Sequence, residues 1–132
     1  MQVREAMNPV LVSIGPGHTL RQAAALMSQR GVGAAVVIDP DAYGPGILTE
    51  RDVLRAIGAG LDPDVETAES HHTRDLVFAG PEWTLIDAAE AMIRGGFRHL
   101  IVIDHDDVVG ILSVRDIVRH WSRAAADLRT TA

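Results

Sequence analysis

The chain repeats itself, and a repeat constrains a fold more than any single motif, because both copies must build the same supersecondary unit. Thr19-Leu20, Ala23-Ala24 and Met27 recur 65 positions later as Thr84-Leu85, Ala88-Ala89 and Met92. Gly31 matches Gly96, and Val37-Ile38-Asp39 matches Val102-Ile103-Asp104, at the same shift. Gly46-Ile47-Leu48-Thr49 with Arg51-Asp52 then recurs as Gly110-Ile111-Leu112-Ser113 with Arg115-Asp116, at a shift of 64. The lost position falls between 40–45 and 105–109, turn-rich stretches in which a change of length costs little.

Within each copy the hydrophobic period alternates in the same order. Leu20, Ala23, Ala24 and Met27 follow the i, i+3, i+4, i+7 spacing of one helical face, as do Leu85, Ala88, Ala89 and Met92. Thr19 with Gln22, and Thr84 with Asp87, stand where an N-cap and its reciprocal partner belong, and Gly31 and Gly96 mark the far ends. Residues 35–39 and 100–104 are short and β-branched, and 46–48 and 108–112 follow across turn-rich loops, so hairpins are expected. A second helix is predicted after Thr49 and after Ser113, burying Val53, Leu54 and Ile57 in the first copy and Ile117, Val118 and Trp121 in the second. Extended pieces at 10–14 and 76–79 open each unit ahead of Pro16 and Pro81. The expected fold class is α/β (α+β), a duplicated β-α-β-β-α unit. About sixty residues is marginal for an independent core, so the copies should pack together. The division reads as a first repeat at 1–60, a polar connector at 61–70, a second repeat at 71–123, and a tail at 124–132 that frays.

With 132 residues, one compact module accommodates both copies. The longest apolar runs, 34–38 and 100–103, are too short to span a bilayer, and 1–5 lack the apolar segment of a signal peptide. A cytoplasmic protein with no membrane partner is expected. Cysteine is absent, which excludes disulfides, thiolate zinc sites and cysteine nucleophiles. A net charge of −6 repels polyanions, so nucleic acid is not an expected partner, although a local basic pocket for one small phosphate is compatible with it. No serine lies in a nucleophile elbow and no acid, base and nucleophile share a spacing, so no catalytic residues are assigned and an enzyme is not expected. Gly15-Pro16-Gly17 is too short for a Walker loop. His71 and His72, adjacent on an extended segment, would face opposite sides, and no further His or Cys completes a set, so no metal site is expected.

The duplicated unit, carrying Gly46-Ile47-Leu48-Thr49-Glu50-Arg51-Asp52 and Gly110-Ile111-Leu112-Ser113-Val114-Arg115-Asp116, resembles a tandem pair of CBS domains, the Bateman module, over nearly the whole chain. The resemblance implies a pseudo-twofold pair with packed sheets and two clefts between the repeats. Such clefts take adenosine-containing ligands, namely AMP, ADP, ATP or S-adenosylmethionine, as regulatory ligands rather than as required cofactors. It also implies regulation rather than catalysis, and a homodimer of the kind common among stand-alone bacterial pairs. Val36 and Ile101 stand where the family often carries proline.

Thr49 and Ser113 lie where a strand enters a helix, and a helix start offers unpaired N–H groups and partial positive charge to a phosphate. Asp52 and Asp116, three residues on, are placed to accept from both ribose hydroxyls, the role these positions serve in the family. The same Thr/Ser-x-x-Asp pattern is also a local helix cap that needs no ligand. For a flat adenine slot the strand residues Val12, Ile14, Val36 and Ile47, with Val77, Ala79, Ile101 and Ile111 as counterparts, are the candidates. Arg98 and His99 replace Gly33 and Ala34 in the second copy and suit ligand phosphates; otherwise Arg98 pairs with a surface carboxylate and His99 is half-buried. Arg51 and Arg115 should point away. Trp83 and Trp121 are core residues or interface anchors. The competing function is a structural or interaction protein with vestigial clefts, binding an unknown protein partner.

Overall fold

Repeat, caps and hairpins translate into a regular order of elements. The structure, a computed structural model, describes residues 1–42, 44–74 and 76–131, with 124–131 by backbone alone. In chain order the elements are α1 (Val3–Ala6), β1 (Ser13–Ile14), α2 (Leu20–Arg30), β2 (Ala34–Val37), β3 (Gly46–Thr49), α3 (Glu50–Gly58), α4 (Ala68–His71), β4 (Phe78–Ala79), α5 (Leu85–Gly95), β5 (His99–Asp104), β6 (Asp107–Ser113) and α6 (Val114–Thr131). The β-α-β-β-α order appears twice, each time preceded by a single helical turn. Two compact units result, Leu11–Leu76 and Met1–Val10 together with the chain from Val77 onward.

In the unit Leu11–Leu76, Thr19 caps α2 by accepting from the Gln22 N–H, Gln22 returns a bond to the Thr19 N–H, and Gly31 ends the helix at φ 65°. α2 crosses over between parallel strands: β1 pairs with β2 with Ser13 opposite Val36, and β2 runs antiparallel to β3 with Ala34 opposite Thr49. Successive strand residues face opposite sides. Ala35, Val37, Leu48 and Ile14 therefore meet Leu20, Ala23 and Met27 of α2 in one core. Ala34, Val36, Ile47 and Thr49 share the other face.

The second unit repeats this around β4-β5-β6, with Phe78 opposite Ile101 and His99 opposite Ser113. Thr84 caps α5 through the Asp87 N–H, and Gly96 ends it at φ 69°. A two-residue turn, His105 and Asp106 at φ 49° and 71°, joins β5 to β6, the backbone that matches hairpin twist. Ala88 and Met92 of α5 pack on Leu100, Val102 and Leu112.

Each unit is closed by the segment that precedes the other repeat. Gln2 bridges Thr84 and Asn8 bridges Ile111; 65 positions on, Thr67 bridges Thr19 and Thr73 bridges Ile47. Val3 is fully buried in the core of the second repeat and donates to the Trp83 carbonyl at 2.7 Å. Ala68 is fully buried in the first and donates to the His18 carbonyl at 2.8 Å. Residues 61–70, expected as a connector, thus pack on the first repeat: Glu66 accepts from the Leu20 N–H, and the Arg21 guanidinium donates to Asp64, which raises the arginine pKa further. Gly46 and Gly110 make room for these segments, because a Cβ on Gly46 would overlap the His72 ring and one on Gly110 would stand 2.8 Å from the Met7 sulfur.

The second helices pack differently from expectation. α3 lies on its unit through Ala56 and half-buried Val53, so Leu54 and Ile57, each about 100° further round the axis, are 69% and 54% exposed. In α6, Ile117 is buried, whereas Val118 and Trp121 are exposed, Trp121 to 71%. Trp83 does pack against its core. The expected tail is also different: α6 continues to Thr131, since Ala124, Ala125 and Ala126 favour helix and no Gly or Pro stops it; Ala132 lies outside the described residues.

Candidate functional site

Both copies of the Thr/Ser-x-x-Asp pattern sit at the junction of a strand and a helix. Thr49 is extended, at φ −109° and ψ 162°, and ends β3 as the N-cap of α3. Its hydroxyl oxygen accepts from the Asp52 N–H at 3.3 Å; in return Asp52 Oδ2 accepts from the Thr49 N–H at 2.8 Å and from its hydroxyl at 3.0 Å. In the second unit Asp116 Oδ2 accepts from the Ser113 N–H at 2.8 Å, and Ser113 Oγ accepts from the Asp116 N–H at 3.1 Å. The capping reading therefore holds at both sites. It leaves room for a ligand, because an ionised carboxylate has about four lone-pair positions and these bonds engage one oxygen. The Asp116 Oδ1 stands 3.8 Å from Arg119 Nη1. Thr49, Asp52 and Ser113 are half-buried, and Asp116 is 9% exposed.

The backbone at these helix starts is more occupied than expected. The Glu50 N–H donates to the Gly33 carbonyl at 2.9 Å and the Val114 N–H to the Arg98 carbonyl at 3.0 Å. With the Asp N–H on the cap hydroxyl, two of the leading amides at each start are already bonded, so a phosphate cannot rest on a cradle of free N–H groups there.

The proposed adenine slot divides by strand parity. Val36 and Ile47 share a face with Thr49, and Ile101 and Ile111 share one with Ser113 and His99. Val12, Ile14 and Ala79 do not join them; they lie in the helix-side cores. The register explains this correction: Ser13 pairs with Val36 and Phe78 with Ile101, so the neighbours of Ser13 and Phe78 point the other way. Val77 is exposed just ahead of β4. Val36 and Ile101, in central strands, are each 1% exposed and present no surface to a ligand in this structure. Ser13 and half-buried Phe78 are face-sharing residues missed by sequence reasoning, and only the register could have revealed them. Arg98 is exposed immediately ahead of β5, and half-buried His99 sits opposite Ser113. Arg51 and Arg115 are exposed.

His71 Nε2 lies 2.9 Å from Glu66 Oε1, and His72 Nδ1 lies 2.9 and 3.0 Å from the carbonyls of Ala68 and Glu69. Among the described residues no group of three or more His, Cys, Asp or Glu is placed to hold a metal ion, and no helix is long and apolar enough to cross a membrane.

Comparison with known proteins adds independent findings. The family model of the CBS domain matches residues 3–59 and 68–123. The CBS domain-containing protein YhcV of Bacillus subtilis is 33% identical over 116 residues, covering 87% of this chain and 81% of the relative. Other curated relatives are longer, the chain spanning 41% of one and 64% of another. Among solved structures, the CBS domain protein PAE2072 from Pyrobaculum aerophilum complexed with AMP superposes with a TM-score of 0.77 at 30% identity, covering 88% of this chain and 89% of that one. Hypoxic Response Protein I with two coordinated zinc ions gives a TM-score of 0.73 at 30% identity, covering 91% of this chain and 98% of that one.

Proposed function

The chain belongs to the CBS domain family, and from that premise we propose that it is a cytoplasmic regulatory module, not an enzyme, that senses an adenosine-containing ligand at the helix starts of α3 and α6. The observation that carries this reading is the duplicated cap. In each unit the carboxylate accepts from the N–H of the cap residue and the cap hydroxyl accepts from the Asp N–H, so the carboxylate is fixed before any ligand arrives and need not be ordered on binding. Asp Oδ1 then accepts from ribose hydroxyls, giving charge-assisted hydrogen bonds. The AMP complex of the 30%-identical neighbour supports the same ligand class. AMP, ADP, ATP and S-adenosylmethionine are the candidates, acting as regulatory ligands.

A thermal-shift and calorimetric screen of the full chain against AMP, ADP, ATP, NAD and S-adenosylmethionine tests this. A ligand at a hundredfold its dissociation constant stabilises the folded state by about 2.7 kcal/mol. Silence toward all five at millimolar concentration overturns the proposal.

One observation favours a second reading, a protein whose role is association. Leu54, Ile57, Val118 and Trp121 are exposed apolar side chains on the second helices, and such residues suit a subunit contact. On this reading the chain forms a homodimer, or meets another protein, with vestigial ligand sites. Sedimentation analysis separates them: a monomer at all accessible concentrations that still binds nucleotide leaves only the sensor.

A further inference from the structure

The two helix starts carry opposite charge at equivalent places. A Cβ on Gly33 would stand 3.1 Å from Glu50 Oε1 and 3.5 Å from Oε2, so the Glu50 carboxylate occupies the space beside the Gly33 backbone. In the second unit Arg98 stands in the position of Gly33 and Val114 in that of Glu50. The backbone match is direct, since the Glu50 N–H donates to the Gly33 carbonyl and the Val114 N–H to the Arg98 carbonyl. Strand register agrees, with Ala34 opposite Thr49 and His99 opposite Ser113. Asp52 and Asp116, and Arg51 and Arg115, are common to both, so they cancel in the comparison. What differs is an anion in the first unit and a guanidinium with an imidazole in the second.

Resting on the proposed adenosyl function, we infer that the sites select different ligand classes: the site at Ser113 and Asp116 takes a phosphorylated adenosine, and the site at Thr49 and Asp52 rejects one. A phosphate beside Arg98 gains paired, charge-assisted donors. The same phosphate beside Glu50 meets a like charge, and discrimination against a wrong ligand is often built from such repulsion. An uncharged nucleoside, or an adenosyl compound with a cationic centre, suits the Glu50 site.

Calorimetry of the full chain with adenosine and with AMP, on the wild type, Arg98→Ala and Glu50→Gln, tests the inference. The wild type should take one AMP per chain. Arg98→Ala should weaken AMP roughly tenfold or more while moving adenosine less than about twofold. Glu50→Gln should admit a second AMP. Two equal AMP sites in the wild type, or an AMP-to-adenosine preference unchanged by Arg98→Ala, would overturn the selectivity while leaving the sensor reading intact. Failure of both compounds to bind any of the three proteins overturns the selectivity, and the five-ligand screen then decides the sensor reading on its own.

Discussion

Replacing Gly110 by alanine should loosen Met1–Val10 from the second repeat. A Cβ there stands 2.8 Å from the Met7 sulfur and 3.0 Å from the Asn8 carbonyl oxygen. The thioether can swing aside. The carbonyl cannot do so freely, because Asn8 and Ile111 exchange backbone bonds of 2.9 and 3.1 Å. Relief must stretch that pair, each bond contributing about 0.5–1.5 kcal/mol net, in line with the roughly 1–3 kcal/mol of an overpacked site. Reduced freedom of the unfolded chain returns about 0.4–1 kcal/mol. A net loss of about 1–2 kcal/mol follows from these ranges. Gly46→Ala should behave alike, since the His72 ring is held by the Ala68 and Glu69 carbonyls and the Thr73 carbonyl stands 3.1 Å from the new Cβ. Gly17→Ala is the control, with nothing within 4 Å of its Cβ. In urea unfolding followed by tryptophan fluorescence, the first two variants should lose roughly 0.5–1 M in midpoint. A Gly110→Ala midpoint equal to that of the control would refute the seating of this segment.

Three further outcomes are expected. Leu48→Ala, at a fully buried position, should cost about 2–5 kcal/mol, whereas Leu54→Ala should change the stability of the dilute chain by about 0.5 kcal/mol or less; urea titration compares them. Thr19→Ala removes the α2 cap bond and should cost about 0.5–2 kcal/mol by the same method. Asp52→Asn keeps an acceptor for the Thr49 N–H, so it should unfold later than Asp52→Ala, yet both should weaken adenosine binding at that site; calorimetry on the two variants reads the difference between cap and ligand contact.

Local signals were legible in the sequence and non-local ones were not. Thr19, Gln22 and Gly31 mark their helix because capping bonds span three or four residues, and the same holds for Thr49 with Asp52. Exchange of the closing segments had no such mark: Val3 and Ala68 are small apolar residues in polar stretches, and their partners lie far along the chain. Parity failed at Val12, Ile14 and Ala79, because a two-residue strand is too short to show a period and its facing is set by pairing with β2 or β5. The period of the apolar stripe on α3 predicts a wholly buried face, but periodicity finds a stripe without saying whether its own chain covers it. Glu50 carries no local mark in the sequence, because its meaning lies in Gly33, whose missing side chain leaves the space that the carboxylate fills.

The most direct measurement is an amide NMR titration of the full chain with AMP. Shifts concentrated at residues 113–116 and at Arg98 and His99 are expected, with saturation at a defined stoichiometry. Saturable shifts that leave Ser113 and Asp116 unmoved, or none at all at millimolar AMP, would contradict the ligand role of the capped helix start.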